Sequence, residues 1–313
     1  MRVLVTGATG FLGRHLVSHL VERGDEVRAL VRARSDAGGL ERLGVAPVRG
    51  ELSPEDVRAA ASGCALVFHL AGLVSHERKD LDRLLEVNVA GTRGVLAGAE
   101  RGARVVHVSS VAALGPVPEP RAVADEGQRF PPWAGRFPYA ASKRAGEDVA
   151  LRAASEGRDV VVANPGFLLG PGDVNHVSTW HVGRYLEGTL RIHTPGGLSN
   201  VDARDVAAGL VALAGRGRRG ERYILTNREG NLSHRDFFRR VADVTGVRRR
   251  MVSVPRAIAW RTPLAPWPLK AGEVRAAANW WFYDPAKAER ELGFRTRPLA
   301  ETLAETAADY LSP

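Results

Sequence analysis

Apolar and polar positions follow two rhythms through the first half of the chain. Short apolar runs with strand character stand at Arg2–Thr6, Glu26–Val31, 45–49, 65–70, 104–109 and 159–163. Between them, apolar residues recur three and four apart. That spacing predicts helices over 11–23, Pro54–Ala61, 81–101 and 140–156. Ser53 and Pro54 supply the cap and first-turn residue of the second helix, and Gly102 is a natural stop for the third. Strand and helix in strict alternation predict an α/β fold, a doubly wound parallel sheet with helices on both faces.

The rhythm loosens after Asn164. Pro165, Gly166, Gly170, Pro171 and Gly172 predict a loop. A strand is expected over 221–226. A helix is expected over 233–245, opened by Ser233 and Asp236 and closed by Gly246. The Pro-rich stretch 262–269 is expected to be a surface turn or irregular crossing, and Leu299–Leu311 a last amphipathic helix. Residues 1–165 are therefore expected to form a regular domain. Residues 166–313 would form mainly a smaller, less regular region, with 201–214 packing back on the sheet.

Composition narrows the class. No run approaches the ~20 apolar residues of a membrane span. The first strand begins at Arg2, so no secretory leader is expected. The single cysteine, Cys64, excludes an internal disulfide framework, and the nine dispersed histidines offer no metal-ligand spacing. These features predict a cytoplasmic protein with no metal. The formal charge of +9 raises the question of nucleic acid. The arginines are scattered, however, and the densest cluster, 248–250, has the place of a solvated helix exit. No nucleic-acid partner is expected, and the charge would serve to attract an anionic ligand.

Candidate chemistry begins at the first strand. Gly7 permits a tight turn, Gly10 lets backbone N–H groups approach a pyrophosphate, and Gly13 lets the next helix pack closely, its positive end facing the phosphates. Between a strand and a helix these glycines predict a dinucleotide-binding domain of Rossmann type. Tyr139 and Lys143, four apart at a helix start, share one face. A cation beside a phenol lowers its pKa toward the working range of an acid/base.

Taken together, these segments resemble the extended branch of the short-chain dehydrogenase/reductase superfamily, the NAD-dependent epimerase/dehydratase family, over essentially the whole chain. Thr6-Gly7-Ala8-Thr9-Gly10-Phe11-Leu12-Gly13 resembles its cofactor loop. Phe68-His69-Leu70-Ala71-Gly72 resembles the segment beneath the cofactor. Asn88-Val89 with Gly91-Thr92 resembles the helix bearing a structural Asn. Ser109-Ser110, ending at Gly115, resembles the catalytic strand, with the hydroxyl at Ser110. Asn164-Pro165-Gly166 resembles the segment beside the nicotinamide, and Val201-Asp202 with Asp205-Val206 a later element. The resemblance implies that Ser110 binds the reacting oxygen, Tyr139 transfers the proton, and Lys143 tunes Tyr139 and holds the ribose. Asn88 either holds a water near Lys143 or satisfies a helix kink. A homodimer through 81–101 and 140–156 is also implied.

The residue expected to choose the cofactor is basic. Arg32, followed by Arg34, stands where an acidic residue would bind a ribose 2′-hydroxyl, and guanidinium groups suit a 2′-phosphate. NADP(H) is favoured, NAD(H) remaining open. Glu51-Leu52 replaces the branch's usual Asp-Leu beside the adenine. Val111-Ala112 after Ser110 lacks the acidic pair of the dehydratases. The tail from Trp280 to Phe294 resembles dihydroflavonol-reductase-like and hopanoid-associated members. The expected function is an NADP(H)-dependent reductase or dehydrogenase of a small, apolar carbonyl or alcohol. Alternatives are an NAD-dependent sugar-nucleotide epimerase and a non-catalytic NADP(H) sensor. Leu73, His76, Phe167, Trp180 and His181 are candidate pocket residues, while Trp280-Trp281-Phe282 is read as an anchor.

Overall fold

A computed structural model describes residues 1–120, 122–261 and 270–311. Its strands are β1 Arg2–Thr6, β2 Glu26–Val31, β3 Pro47–Arg49, β4 Leu66–His69, β5 Arg104–Val108, β6 Val160–Pro165, β7 Phe167–Leu169, β8 Ile192–His193, β9 Gly197–Asp202, β10 Arg222–Leu225, β11 Asn231–Ser233, β12 Val252–Ser253 and β13 Trp280–Trp281. Its helices are α1 Phe11–Glu22, α2 Gly38–Arg42, α3 Pro54–Ala61, α4 Leu81–Leu85, α5 Gly91–Gly98, α6 Pro138–Ser155, α7 Trp180–Glu187, α8 Ala203–Arg216, α9 His234–Thr245, α10 Arg256–Arg261, α11 Ala271–Ala277, α12 Ala286–Leu292 and α13 Leu299–Leu311.

The main sheet has seven parallel strands in the order β10-β6-β5-β4-β1-β2-β3. Its buried strands alternate between two cores, as a pleat requires. Val3, Val5, Phe68, Val106 and Val161 face α1, α8 and α12. Leu4, Val67, Val105, Val160 and Val162 face α3, α5 and α6. Chain order reverses between β1 and β4. The crevice for a ligand in such a sheet lies beyond the strand ends at that point. α8 shares the first core with α1 through Val206, Leu210 and Leu213.

A second, mixed sheet is centred on β9, which pairs with β7 and β13 in parallel and β11 antiparallel. Arg297 joins this region to α8: its backbone N–H donates to Asp205 Oδ2 at 2.8 Å and its side chain to Asp205 Oδ1 at 2.9 Å. Trp281 stacks edge-on against Phe137 at 5.8 Å, and its indole N–H donates to the Ala276 carbonyl. The Trp280–Phe282 segment thus pins the C-terminal part against the turn before α6.

Several boundaries depart from the sequence pattern. The helix expected over 81–101 is broken by a π-turn, Glu86–Ala90, and ends at Gly98 rather than at Gly102. The strand expected over 45–49 shortens to β3. Ser233 caps α9 by accepting from the Asp236 N–H, and Gly246 closes it in the left-handed conformation. The turn expected at 262–269 lies outside the described residues.

Candidate active site

β1 turns at Gly7, whose φ of +73° is one that residues with a side chain rarely adopt. A Cβ on Gly7 would stand 2.6 Å from the Ala71 nitrogen, and one on Gly13 would stand 2.1 Å from the Gly7 carbonyl oxygen. Both contacts are with backbone, so no side-chain shift relieves them. Glycine therefore seats α1 against the sheet's switch point. Gly10 is the N-cap and makes no side-chain cap bond. The Gly10 N–H is taken by Gly7 and the Arg14 N–H by Gly10. The N–H groups of Phe11, Leu12 and Gly13 have no acceptor within the helix. Three such donors at the positive end of a twelve-residue helix fit a pyrophosphate.

The opposite wall is the 70–72 segment. Leu70 N–H donates to the Thr6 carbonyl at 3.1 Å, and Ala71 N–H to Thr6 Oγ1 at 3.2 Å. Thr6 Oγ1 pairs with His69 Nδ1 at 2.8 Å, His69 Nε2 with Thr92 Oγ1 at 3.2 Å, and Thr92 donates to the Asn88 carbonyl at 2.7 Å. Thr92's proton is thus spent on Asn88, which assigns the His69 proton to Nε2. Burial pushes the His69 imidazole down to about 3, so it is neutral.

Asn88 sits in the π-turn, buried. Its Oδ1 accepts from the Leu73 N–H at 2.8 Å, and its Nδ2 donates to the Leu73 carbonyl at 3.0 Å and to Ser142 Oγ at 2.9 Å. It therefore ties the segment after β4 to α6. A Cβ on Gly72 would lie 3.2 Å from Asn88 Oδ1 and 3.8 Å from Lys143 Nζ. The bare backbone at Gly72 faces these two polar groups.

Ser110, Tyr139 and Lys143 converge where β5 ends and α6 begins. Ser110 follows buried Ser109 and caps a short 3₁₀ turn, its Oγ accepting from the Ala112 N–H at 3.1 Å. Its hydroxyl is near enough to the Tyr139 phenol to act on the phenol's pKa. Lys143, buried one turn along α6, donates to the Val108 carbonyl at 2.9 Å. Enclosure lowers its ammonium to about 8, and Glu147 opposes that shift. Enclosure raises the Tyr139 phenol above its ordinary value, and the Ser110 hydroxyl draws it partly back. The sequence reading expected Lys143 to lower the phenol. The ammonium donates to the Val108 carbonyl, and loss of solvent is the largest influence on the phenol.

Glu147 was missed by the sequence reading. Its side chain is fully buried on α6; Oε2 accepts from Asn164 Nδ2 at 2.6 Å, and Oε1 pairs with Arg222 at 3.1 Å. The same Asn164 nitrogen donates to the Ser110 carbonyl at 2.9 Å. The available signal was spacing alone: Tyr139, Lys143 and Glu147 stand four apart on one helical face.

At the other end of the crevice Arg32 and Arg34 are exposed just beyond β2. Arg14 and Arg42 also converge there: a Cβ on Gly39 would lie 3.7 Å from Arg14 Cζ and 3.8 Å from Arg42 Nη2. The Glu51 N–H is held by Asp56 Oδ2 at 2.8 Å, and Leu52 packs on Gly91 of α5. Pro165 pairs with Leu225 of β10, and the Gly166 N–H donates to the Leu225 carbonyl.

Among the pocket candidates, His76 meets Tyr139 edge-on at 5.9 Å. Leu73 is fixed by Asn88. Phe167, Trp180 and His181 form a separate aromatic group, with His181 5.0 Å from Phe167 and 6.0 Å from Trp180. His181 also lies 4.9 Å from Phe237, and burial pushes it down to about 3. The structure thus brings His76 to Tyr139 and places His181 in the aromatic packing of the C-terminal region.

Among the described residues no helix is long and apolar enough to cross a membrane. The model of the NAD dependent epimerase/dehydratase family matches residues 3–226. A Synechocystis protein provisionally named dihydroflavonol 4-reductase is 36% identical, with 96% of this chain and 92% of that protein covered. The 4-hydroxy-2-methyl-3-oxo-4-farnesyl-3,4-dihydroquinoline-1-oxide ketoreductase of Stigmatella aurantiaca is 33% identical over 95% of this chain and 92% of its own length. Among solved structures, the dTDP-glucose 4,6-dehydratase DesIV of Streptomyces venezuelae, with NAD bound, superposes with a TM-score of 0.81 at 25% identity, covering 99% of this chain and 97% of its own. With its parallel sheet, glycine turn and Ser-Tyr-Lys group, the chain belongs to the NAD-dependent epimerase/dehydratase family, the extended branch of the short-chain dehydrogenases/reductases.

Proposed function

We propose that the protein is an NADP(H)-dependent oxidoreductase that interconverts an apolar ketone or aldehyde and the corresponding alcohol. The observation that carries this reading is the convergence of Ser110, at the end of β5, with Tyr139 and Lys143, one turn apart at the start of α6, at the same sheet edge as the open N-terminus of α1. The N–H groups of Phe11, Leu12 and Gly13 would hold the pyrophosphate. Lys143 and the 70–72 segment would hold the nicotinamide ribose, Asn164-Pro165-Gly166 would flank the nicotinamide, and Arg32 and Arg34 would meet the 2′-phosphate. The bound nicotinamide supplies hydride exchange at carbon.

Every other task falls to side chains of this chain. Ser110 donates to the substrate oxygen and fixes its distance from Tyr139. Tyr139 delivers or removes the proton on that oxygen. A phenol held high by burial is protonated at neutral pH and ready to act as an acid, the form that reduction requires. Lys143, charged beside it, stabilises the phenolate left after transfer. His76, neutral and edge-on to Tyr139, bounds the pocket on one side. The same reading includes a homodimer through α4, α5 and α6.

The reductase-named relatives support this direction. Val111-Ala112 after Ser110 removes the acidic pair on which a dehydratase reading would rest. Release of nucleotide from denatured protein, followed by titration of stripped protein with NADPH and NADH, separates the readings. A site that yields NADP or nothing and prefers NADPH supports a reductase. Tightly retained NAD points to an epimerase with an internal redox cycle.

A further inference from the structure

We propose that Arg49 is a specificity-determining residue: it folds the 32–36 loop into an anion cradle for a ribose 2′-phosphate. The inference rests on the NADP(H) reading above and assigns its selectivity to a residue outside the expected contact set. Arg49 ends β3, directly beside Val31 at the end of β2. Its Nη1 lies 3.0 Å from the Arg32 carbonyl, 3.2 Å from the Ala33 carbonyl and 2.8 Å from the Ser35 carbonyl. A guanidinium nitrogen has two hydrogens, so three carbonyls on one nitrogen means that one N–H is shared. The Ser35 N–H also returns to the Arg32 carbonyl at 3.0 Å, closing the turn.

This arrangement sets the direction of three peptide groups. In a trans peptide the C=O and the next N–H point in opposite directions. Carbonyls 32, 33 and 35 turn toward Arg49, so the N–H groups of Ala33, Arg34 and Asp36 turn away from it. None of these three N–H groups donates to another described residue, and the Arg32 and Arg34 guanidinium groups form no ion pair among the described residues. Successive outward N–H groups flanked by free guanidinium groups make a concavity suited to a dianion. Arg49 acts by positioning and need not touch the phosphate.

The test is titration of the purified full-length protein with NADPH and NADH for wild type, Arg49→Met, Arg49→Lys, Arg32→Ala and the Arg49→Met/Arg32→Ala pair, with thermal midpoints for each. The expected result is an NADPH Kd raised about tenfold or more in Arg49→Met, an NADH Kd within about twofold, and a midpoint close to wild type. Arg49→Lys keeps the charge, but its nitrogen stops one bond short of the Nη1 position, and it should also weaken NADPH. The double variant should bind NADPH about as poorly as the worse single one, because both act through one loop. An unchanged NADPH Kd in Arg49→Met, equal losses for both nucleotides, or wild-type behaviour of Arg49→Lys overturns the proposal. A wild-type protein without NADPH preference overturns the cofactor reading itself, and does so before any variant is examined.

Discussion

The Asn164 amide nitrogen lies 2.6 Å from the buried Glu147 carboxylate and 2.9 Å from the Ser110 carbonyl oxygen. One nitrogen thus joins a buried charge on α6 to the backbone of the residue expected to bind the reacting oxygen. Arg222 of β10 faces the same carboxylate at 3.1 Å. Removing the acid leaves the half-buried Arg222 without this partner and takes one of two acceptors from the buried Asn164 amide. Glu147→Ala should therefore cost about 3 kcal/mol of stability or more, read as a lower midpoint in denaturant. An unchanged midpoint would mean that the carboxylate contributes nothing to holding α6, β6 and β10 together.

Tyr139→Phe keeps the ring and its contact with His76 and removes only the hydroxyl. Turnover should fall by about 10²-fold or more, while the NADPH dissociation constant stays within about twofold. Turnover resembling wild type would remove Tyr139 from the proton path.

Arg32→Ala should weaken NADPH by about tenfold, equivalent to one charge-assisted hydrogen bond, and leave NADH nearly unaffected. Equal weakening of both nucleotides would show that Arg32 supports the loop and does not select the phosphate.

Acid should destabilise the fold through its buried histidines. His69 and His181 are pushed down to about 3 and His234 to about 4, whereas each titrates near 6.5 once unfolded. Below pH 6.5 the unfolded chain binds more protons than the folded one, so stability falls as pH drops toward the folded values. Each fully neutral histidine accounts for up to about 2 kcal/mol at pH 5. The thermal midpoint should decline from pH 7 to pH 5, and His234→Gln should reduce that slope. A flat profile would contradict the buried, neutral assignment.

The strand–turn–helix start of the sheet and the Tyr139–Lys143 spacing were legible because both are local. Gly7, Gly10 and Gly13 lie within one turn, and Tyr139 and Lys143 within another. The elements that failed depend on distant partners. Asn88 stabilises the π-turn through Leu73 and Ser142, which are 15 and 54 residues away. Nothing within 81–101 records that arrangement, so the segment read as one straight helix. Glu147 looked like an ordinary helical carboxylate until Asn164 and Arg222 folded onto it from two other strands. Arg49 looked like one surface arginine among many because its acceptors are backbone carbonyls, which no side-chain pattern reveals. The packing of His181 against Phe237 and Phe238 was not visible in the sequence because both rings come from α9.

The central claim is tested most directly by following an isotope. NADPH carrying deuterium at the transferred position of nicotinamide C4 would be incubated with the enzyme and a panel of apolar ketones and aldehydes, and the alcohols examined by mass spectrometry. The account predicts deuterium on the carbinol carbon with wild type and its loss with Tyr139→Phe. Deuterium that never leaves the nucleotide for any carbonyl in the panel, together with retained NAD and interconversion of a sugar nucleotide, would contradict it.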